Sequence, residues 1–345
     1  MGPTDASDSR LAALTRWLDE DLGFIDGRIE PASADASFRR YFRVTRDGDS
    51  CIVMDAPPDK EDCEPFVRVA RSLAGIGLNV PLVLARELHQ GFLLLSDLGT
   101  HQYLDELNAG RQVDRLYAEA LHALVIMQTD RRGADLELPA YDRSMLVREM
   151  ELLPEWFIDR HLQLHLSGAE RDMLDRSFDA LVQSALQQPC ALVHRDYHSR
   201  NLLLTARNNP GILDFQDAVR GPITYDAVSL LKDCYIAWPA PRVRAWALEF
   251  RDALNAAGVD AGADASQFMR WFDLMGLQRH VKVLGIFARL FYRDGKSGYL
   301  KDLPRVLDYA RVAAANHSET QELADFLQQR VVPAFVEAQA RTRIE

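Results

Sequence analysis

The chain has 345 residues, of which 48% are hydrophobic and 26% charged, and its formal net charge is −11. This composition is typical of a globular protein in water, and the length favours two lobes over one core. The acidic balance argues against nonspecific binding to nucleic acid or anionic membranes, so we expect neither as a partner. No segment resembles a signal peptide or a transmembrane helix, and nothing indicates an obligate protein partner; we expect a cytoplasmic protein.

The cysteine pattern argues against two common ways of stabilising a fold. Cys51, Cys63, Cys190 and Cys234 lie far apart and include no C-x-x-C pair. Neither a zinc site nor a disulfide framework is therefore predicted, and reduced thiols are expected.

The first hundred residues are predicted to form a small β-rich lobe. Leucines recur at helical spacing in residues 8–22, and apolar residues alternate with polar ones around the turn "RDGDS" in residues 28–58. The pattern then indicates a helix over residues 61–77 and two strands within residues 80–99.

The remainder of the chain is predicted to be mainly helical. Long amphipathic segments occupy residues 102–129, 143–164 and 168–187. We therefore predict an α+β fold of two lobes, with an N-terminal lobe at residues 1–98 and a larger helical lobe at residues 99–345.

The segment "ALVHRDYHSRNLLL" (191–204) places a crowd of polar residues inside an apolar run. Each buried polar group needs a partner, so a stable core has no use for so many of them. The segment is therefore either a solvated loop with an incidental histidine or the lining of a functional site.

The residues that follow favour a site. The segment "NLLLTARNNPGILDF" predicts a β-hairpin with its turn at "NNPG", and this hairpin is expected to bring Asp214 near Asn201 and Asp196. Two carboxylates and an amide are hard oxygen ligands, which suit Mg²⁺. The set fits phosphoryl transfer, in which one Asp accepts the proton of a hydroxyl while an Asn and a second Asp hold the metal on a nucleotide.

The stretch "LDFQDAVRGPITYDAVSLLKDCY" resembles the "DFxxAxxGxPxxDLAxL" stretch of the aminoglycoside phosphotransferase/choline kinase-like family, which has a protein-kinase-like fold. The resemblance implies Asp196 as the catalytic base and Asn201 and Asp214 as Mg²⁺ ligands. It also implies structural support from His194 and Asp226, the latter anchoring the catalytic loop. An alternative role for Asp226 is to cap the helix that starts next to it.

A closer resemblance narrows the substrate. Together with that stretch, "SFRRYFRV", "LLLSDLGT", "HRDYHSRNLL" and the segment starting "GLQRHVKVLGIF" are similar to the anomeric N-acetylmuramate/N-acetylglucosamine kinases. This implies transfer of phosphate from ATP to the C1 hydroxyl of an amino sugar, in peptidoglycan recycling. Two alternatives stay open: an aminoglycoside phosphotransferase that confers antibiotic resistance, and a nucleotide-binding pseudokinase.

The chain departs from the usual kinase pattern where the nucleotide phosphates bind. The segment "PASADASF", which contains Ser37, has no glycine, so backbone N–H groups there are expected to contact phosphate without glycine's freedom. The strand "CIVMDA" has no lysine either. Arg43 is the preferred substitute cation, with Arg39 and Arg40 as further candidates. The alternative is that all three arginines coat an exposed face of the sheet.

The segment "LLLSDLGT" fits a linker between lobes. The backbone of Ser96, Asp97 and Leu98 is expected to pair with adenine, although an ordinary strand end has the same pattern. Asp97 is either a ribose contact or a turn residue.

Sugar recognition is expected from the helical lobe, because a site built for several hydroxyls needs matched polar groups. Glu149 and Arg279 are candidates, the latter as a cation for the lactyl carboxylate of muramate. Gln216 and Asp217 follow Asp214 closely enough to contact substrate. Each of these residues is alternatively a surface charge on a helix or a plain polar neighbour.

Overall fold

The computed structural model describes residues 8–24, 27–34, 38–134 and 136–342. The chain divides into two compact units. The N-terminal unit consists of Met1–His101 and Leu203–Gln216, and the C-terminal unit of Gln102–Leu202 and Asp217–Glu345. The functional boundary placed between residues 98 and 99 stays a prediction.

The N-terminal unit is built on an antiparallel sheet. Its helices are Ser9–Arg16 (α1), which continues as a π-helical segment over Trp17–Asp21, and Glu64–Gly75 (α2). Its strands are Arg28–Ala34 (β1), Arg40–Arg46 (β2), Asp49–Asp55 (β3), Val83–Glu87 (β4) and Phe92–Ser96 (β5), in the order β1-β2-β3-β5-β4.

Apolar residues at alternate positions of the strands explain how α1 packs on this sheet. Phe42 and Val44 on β2 are buried, whereas Arg43 between them is only partly buried. Side chains on a strand alternate between faces, so these two point to the same side of the sheet. The buried cluster that results is formed by Leu14, Trp17, Leu18, Phe42, Val44, Val53, Phe92 and Leu94.

Short strands then form two pairs. They are Cys190–Val193 (β6), Leu202–Leu203 (β7), Gly211–Ile212 (β8) and Val219–Pro222 (β9); β6 pairs with β9 and β7 with β8. The second pair is the predicted hairpin, which is confirmed. Within the N-terminal unit the hairpin packs closely, because a Cβ at Gly211 would lie 3.1 Å from Leu98 Cδ1, and Ile212 N donates to Asn79 O at 2.8 Å.

The C-terminal unit is mainly helical, so the predicted α+β architecture is confirmed. Its α-helices are Tyr103–Asn108 (α3), Val113–Thr129 (α4), Arg131–Ala134 (α5), Arg143–Met150 (α6), Gly168–Leu186 (α7), Tyr225–Leu231 (α8), Ala240–Ala256 (α9), Ala265–Asp294 (α10), Leu303–Ala315 (α11), Gln321–Phe326 (α12) and Val332–Thr342 (α13). Further helical segments of π or 3₁₀ type cover Leu153–His161, Ser297–Asp302, Ser318–Thr320 and Leu327–Val331.

Helix α10 lies at the centre of this unit, where it contacts α6, α7, α8, α9 and α11. Asp264 caps its start by accepting from Gln267 N at 2.8 Å, and Gly295 ends it with φ 69°. Two charged side chains of α10, those of Arg279 and Lys282, are buried in this central position.

One predicted helical segment is broken. Residues 102–129 form two helices, α3 and α4, instead of one. Gly110 and Gln112 between them adopt positive φ values of 67° and 52°, which a right-handed helix does not contain. In the part of the chain that the structure describes, none of the helices combines the length and apolar character that a bilayer crossing needs.

Candidate active site

Two hydrogen bonds hold the start of the predicted catalytic loop. The buried Asp226 carboxylate, on α8, accepts from His194 N at 2.7 Å and from Arg195 N at 3.0 Å. Asp196 N then donates to His194 Nδ1 at 3.2 Å, so the side chain of His194 supports the backbone at Asp196. Asp226 uses its carboxylate on the loop, and no side chain caps α8.

A second buried carboxylate holds the middle of the loop. Asp233, which is 1% exposed, accepts from Ser199 N at 3.0 Å and from Ser199 Oγ at 2.5 Å. It also accepts from Tyr235 N at 2.9 Å. Sequence reasoning did not single out Asp233. Its position after the apolar run of α8 was the available signal, because a charge there needs a partner.

Asn201 is tied to the predicted base. Its Nδ2 donates to Asp196 O at 3.0 Å, and its backbone N donates to His198 O at 2.9 Å. The structure thus brings Asp196 and Asn201 together within one loop of the C-terminal unit.

Positive charge surrounds Asp196. Burial raises the pKa of Asp196, but nearby positive groups, among which Lys282 has the largest effect, outweigh burial and hold this pKa below its ordinary value. Arg195 and Arg279 contribute to the same effect. Asp196 is therefore ionised at neutral pH and able to accept a hydrogen bond from a hydroxyl.

Glu149 links the loop to helix α10 through ion pairs. Its Oε1 pairs with Arg195 Nη2 and, at 2.9 Å, with Lys282 Nζ. The Tyr141 hydroxyl donates to Oε2, and Lys282 Nζ also donates to the Tyr225 hydroxyl at 3.0 Å. Both oxygens of Glu149 are thus engaged by the chain itself, which favours a positioning role over its predicted contact with sugar.

Several buried polar atoms of the C-terminal unit have no hydrogen-bond partner among the described residues. They include Arg195 Nε and His198 Nδ1 on the predicted catalytic loop and Gln278 Oε1 and Arg279 Nε on α10. Buried donors and acceptors are normally paired, so such a set is typical of a place where water or a polar ligand binds. Arg279 is 4% exposed and is not a surface charge on a helix.

The residues after the hairpin divide between the units. Asp214 lies in the N-terminal unit with φ 63°, and Gln216 Nε2 donates to its Oδ1 at 2.8 Å. Asp217 lies in the C-terminal unit, where it is exposed and its backbone O accepts from Arg195 Nη1 at 3.4 Å. That Asn201 and Asp214 share one divalent cation stays a prediction.

The structure joins two predicted nucleotide contacts in one ion pair. Arg43 Nε and Nη2 donate to Asp97 Oδ2 and Oδ1 at 2.6 and 3.0 Å, and Gly99 N donates to Asp97 Oδ1 at 2.8 Å. Burial raises the pKa of Asp97, but Arg43 and Gly99 outweigh burial and lower it. Ser96 Oγ accepts from Leu82 N at 2.8 Å.

The other candidate arginines are also paired within the N-terminal unit. Arg39 pairs with Glu61 at 2.8 Å, and Arg40 with both Asp8 and the fully buried Asp55. Ser37 lies outside the described residues. The nucleotide-binding roles of Ser37, Arg43 and the linker stay predictions.

Comparison with known proteins decides the family. A model of the phosphotransferase enzyme family matches residues 28–271. The chain belongs to this family. It is 47% identical over 333 residues to a Pseudomonas aeruginosa protein named N-acetylmuramate/N-acetylglucosamine kinase, covering 93% of this chain and 97% of that protein. A Neisseria meningitidis protein of the same name is 42% identical over 319 residues, covering 91% and 94%.

Solved structures support the fold. Choline kinase from Cryptosporidium parvum matches with a TM-score of 0.62 at 11% identity, covering 93% of this chain and 100% of that one. The GDP complex of wild-type aminoglycoside 2'-phosphotransferase-IIIa matches with a TM-score of 0.60 at 18% identity, covering 90% and 100%. The predicted kinase-like fold and family are therefore confirmed, and this member of the phosphotransferase family is a small-molecule kinase.

Proposed function

We propose that this kinase transfers phosphate from ATP to the anomeric C1 hydroxyl of N-acetylmuramate and N-acetylglucosamine. The observation that supports this most is 47% identity, over 93% of the chain, to a protein named for both sugars. The buried polar atoms of the C-terminal unit that have no partner among the described residues also support a sugar substrate, because a ligand rich in hydroxyls supplies both donors and acceptors. The proposed product is a sugar 1-phosphate, and the proposed role is the recycling of peptidoglycan sugars in the cytoplasm.

In the proposed mechanism Asp196 orients the acceptor hydroxyl and takes its proton as the oxygen attacks the γ-phosphate. Asp226 and Asp233 hold the loop through backbone N–H groups, so the carboxylate of Asp196 needs no rearrangement. ADP leaves with the electron pair of the broken P–O bond.

The residue types proposed as metal ligands suit magnesium. Asn201 and Asp214 would each offer an amide or carboxylate oxygen, the ligand types that Mg²⁺ prefers. Mg²⁺ supplies neutralisation of charge on the phosphates. In the N-terminal unit, the backbone of Ser96, Asp97 and Leu98 is the proposed adenine contact, with Ser37 and Arg43 toward the phosphates. Gln216 and Asp217 are proposed substrate neighbours.

The purified protein is tested with N-acetylmuramate, N-acetylglucosamine and kanamycin, following ADP release. We expect turnover of the two amino sugars only, with ³¹P–¹³C coupling showing phosphate on C1. Release of ADP with kanamycin alone would establish the aminoglycoside alternative, and ATP binding without turnover of any acceptor the pseudokinase alternative.

The role of Asp196 is tested by Asp196→Asn. Loss of a general base is expected to lower kcat by about 10²- to 10⁴-fold while ATP still binds. Asp172→Asn makes the same chemical change on the exposed face of α7 and is expected to have no effect. Near-normal turnover by Asp196→Asn would show that another group is the base.

A further inference from the structure

Arg279 on α10 is a buried cation that forms no ion pair with any of the described residues. Its side-chain hydrogen bond goes from Nη1 to Cys234 Sγ at 3.5 Å, and its Nε has no partner. Sulfur is a weak acceptor, so this contact leaves most of the donor capacity of the guanidinium unused. Within the described ranges, Arg279 makes no ion pair.

The neighbouring charges are already committed to other partners. Glu149 pairs with Lys282 and Arg195. The carboxylates of Asp226 and Asp233 accept from the backbone and Ser199 of the catalytic loop. Asp196, whose charge also acts on Arg279, is assigned to the acceptor hydroxyl in the proposed mechanism. An arginine stays protonated in proteins and a buried charge without an ion pair is costly, so the guanidinium is suited to bind an anion from outside the chain.

The surroundings of Arg279 indicate that this anion belongs to the acceptor sugar. Its charge acts on the carboxylate of Asp196, together with those of Lys282 and Arg195. Gln278, the residue before it, donates to the Tyr141 hydroxyl at 3.2 Å, and Tyr141 in turn donates to Glu149. Arg279 is thus part of the polar surroundings of the proposed base.

We propose that Arg279 binds a carboxylate of the acceptor sugar and thereby sets the preference for a carboxylate-bearing amino sugar over a neutral one. The inference rests on the proposed function and deepens it. A guanidinium presents a planar pair of N–H donors that matches a carboxylate. N-acetylmuramate has such a group on its lactyl ether, whereas N-acetylglucosamine has a hydroxyl at the same carbon.

The first test compares the two sugars in Arg279→Gln. The ratio of kcat/KM for N-acetylmuramate to that for N-acetylglucosamine is expected to fall by about 10- to 100-fold, the loss expected for a charge-assisted hydrogen bond. Arg279→Lys keeps the positive charge but loses the planar pair of N–H donors, and its ratio is expected to lie between those of the wild type and Arg279→Gln. Arg293→Gln removes an exposed charge from the same helix, and its ratio is expected to match that of the wild type.

The second test uses the substrate, so that it does not depend on the folding of a variant. The methyl ester of N-acetylmuramate removes the negative charge, and wild-type kcat/KM is expected to fall toward the value for N-acetylglucosamine. In Arg279→Gln, acid and ester are expected to be turned over equally.

The outcomes separate the two proposals. Absence of turnover of both sugars by the wild type would overturn the proposed function. If the wild type turns over both sugars but accepts the ester as well as the acid, or if the sugar ratio is unchanged in Arg279→Gln, only the role of Arg279 is overturned.

Discussion

At Arg195 and Asp214 the backbone adopts a left-handed conformation, with φ values of 76° and 63°. Such a conformation at a residue other than glycine is unfavourable by about 1 kcal/mol or more, and persists where surrounding contacts fix it. For Arg195 those contacts are the hydrogen bond of its N–H to Asp226 and the ion pair of its side chain with Glu149. Arg195, the strained residue of the loop, therefore lies directly before the proposed base, Asp196.

His161 provides a prediction on pH. It is 5% exposed and packs on Phe157 and Phe335, with the Tyr292 hydroxyl 3.4 Å from Nδ1. Burial, with a smaller contribution from Arg341, lowers the pKa of His161 to about 4. The unfolded chain binds a proton near pH 6.5 and the folded chain does not, so this residue makes stability fall as pH decreases from about 6.5 to about 4.

We expect His161→Phe to lose that dependence. Between pH 7 and pH 5 the free energy of unfolding of the wild type should decrease by about 2 kcal/mol more than that of the variant, measured by urea denaturation. His165→Asn, at a position with a 91% exposed side chain, is the control and should follow the wild type. Equal pH dependence in wild type and His161→Phe would contradict a neutral buried imidazole.

Helix α8 shows how one short element organises the loop. Asp226 lies in its first turn and Asp233 two residues beyond its end, and the two carboxylates hold different parts of the segment 194–199. All seven residues of α8 are buried, so the helix is fixed by its surroundings. The loop is therefore held in place by an element of the rigid core.

Helix α10 depends on a glycine for its central position. A Cβ at Gly285 would fall inside the van der Waals envelope of the Leu152 backbone carbonyl, whereas a Cβ at Gly276 would lie 3.4 Å from Lys232 Cδ, at an ordinary contact distance. Backbone atoms cannot move aside as the end of a lysine can.

Alanine at these two glycines should therefore have opposite effects. Gly285→Ala is expected to lower the free energy of unfolding by about 1–3 kcal/mol because the helix must shift. Gly276→Ala is expected to be neutral or stabilising by up to about 1 kcal/mol, since alanine favours the helix. Thermal denaturation followed by circular dichroism checks both; equal midpoints for the two variants would show that the contact at Leu152 is not limiting.

Ligands should stabilise the whole molecule against unfolding, because the folded protein binds them and the unfolded chain does not. ATP is expected to raise the midpoint of thermal unfolding, and Mg²⁺ to raise it further; saturation at 100 times the Kd corresponds to about 2.7 kcal/mol. Asp214→Asn tests the origin of the magnesium increment, because asparagine tolerates the left-handed backbone at this position and removes the charge.

We expect Asp214→Asn to keep the stabilisation by ATP alone and to lose the increment from Mg²⁺. Asp172→Asn should keep both. A magnesium increment of wild-type size in Asp214→Asn would contradict the proposed role of Asp214 as a metal ligand.

Local patterns in the sequence determined much of this protein. Alternation at Phe42 and Val44 predicted a strand, and "NNPG" predicted the hairpin. These two features depend on neighbours in the chain, for which periodicity and turn chemistry are sufficient. The kinase assignment rested instead on the match of Asp196, Asn201 and Asp214 to a known pattern of phosphoryl transfer and on the resemblance to a family. The break between α3 and α4 was missed although Gly110, which has φ 67°, is the kind of residue at which a helix commonly ends.

Only the tertiary structure revealed which distant residues share an environment. Ser199 and Asp233 are 34 residues apart and Tyr225 and Lys282 57 apart, and nothing local marks these pairs. The hairpin likewise joins the N-terminal unit through Asn79. From the sequence, Arg279 was either a substrate contact or a surface charge on a helix. Only its burial makes the absence of an ion pair with the described residues a physical constraint.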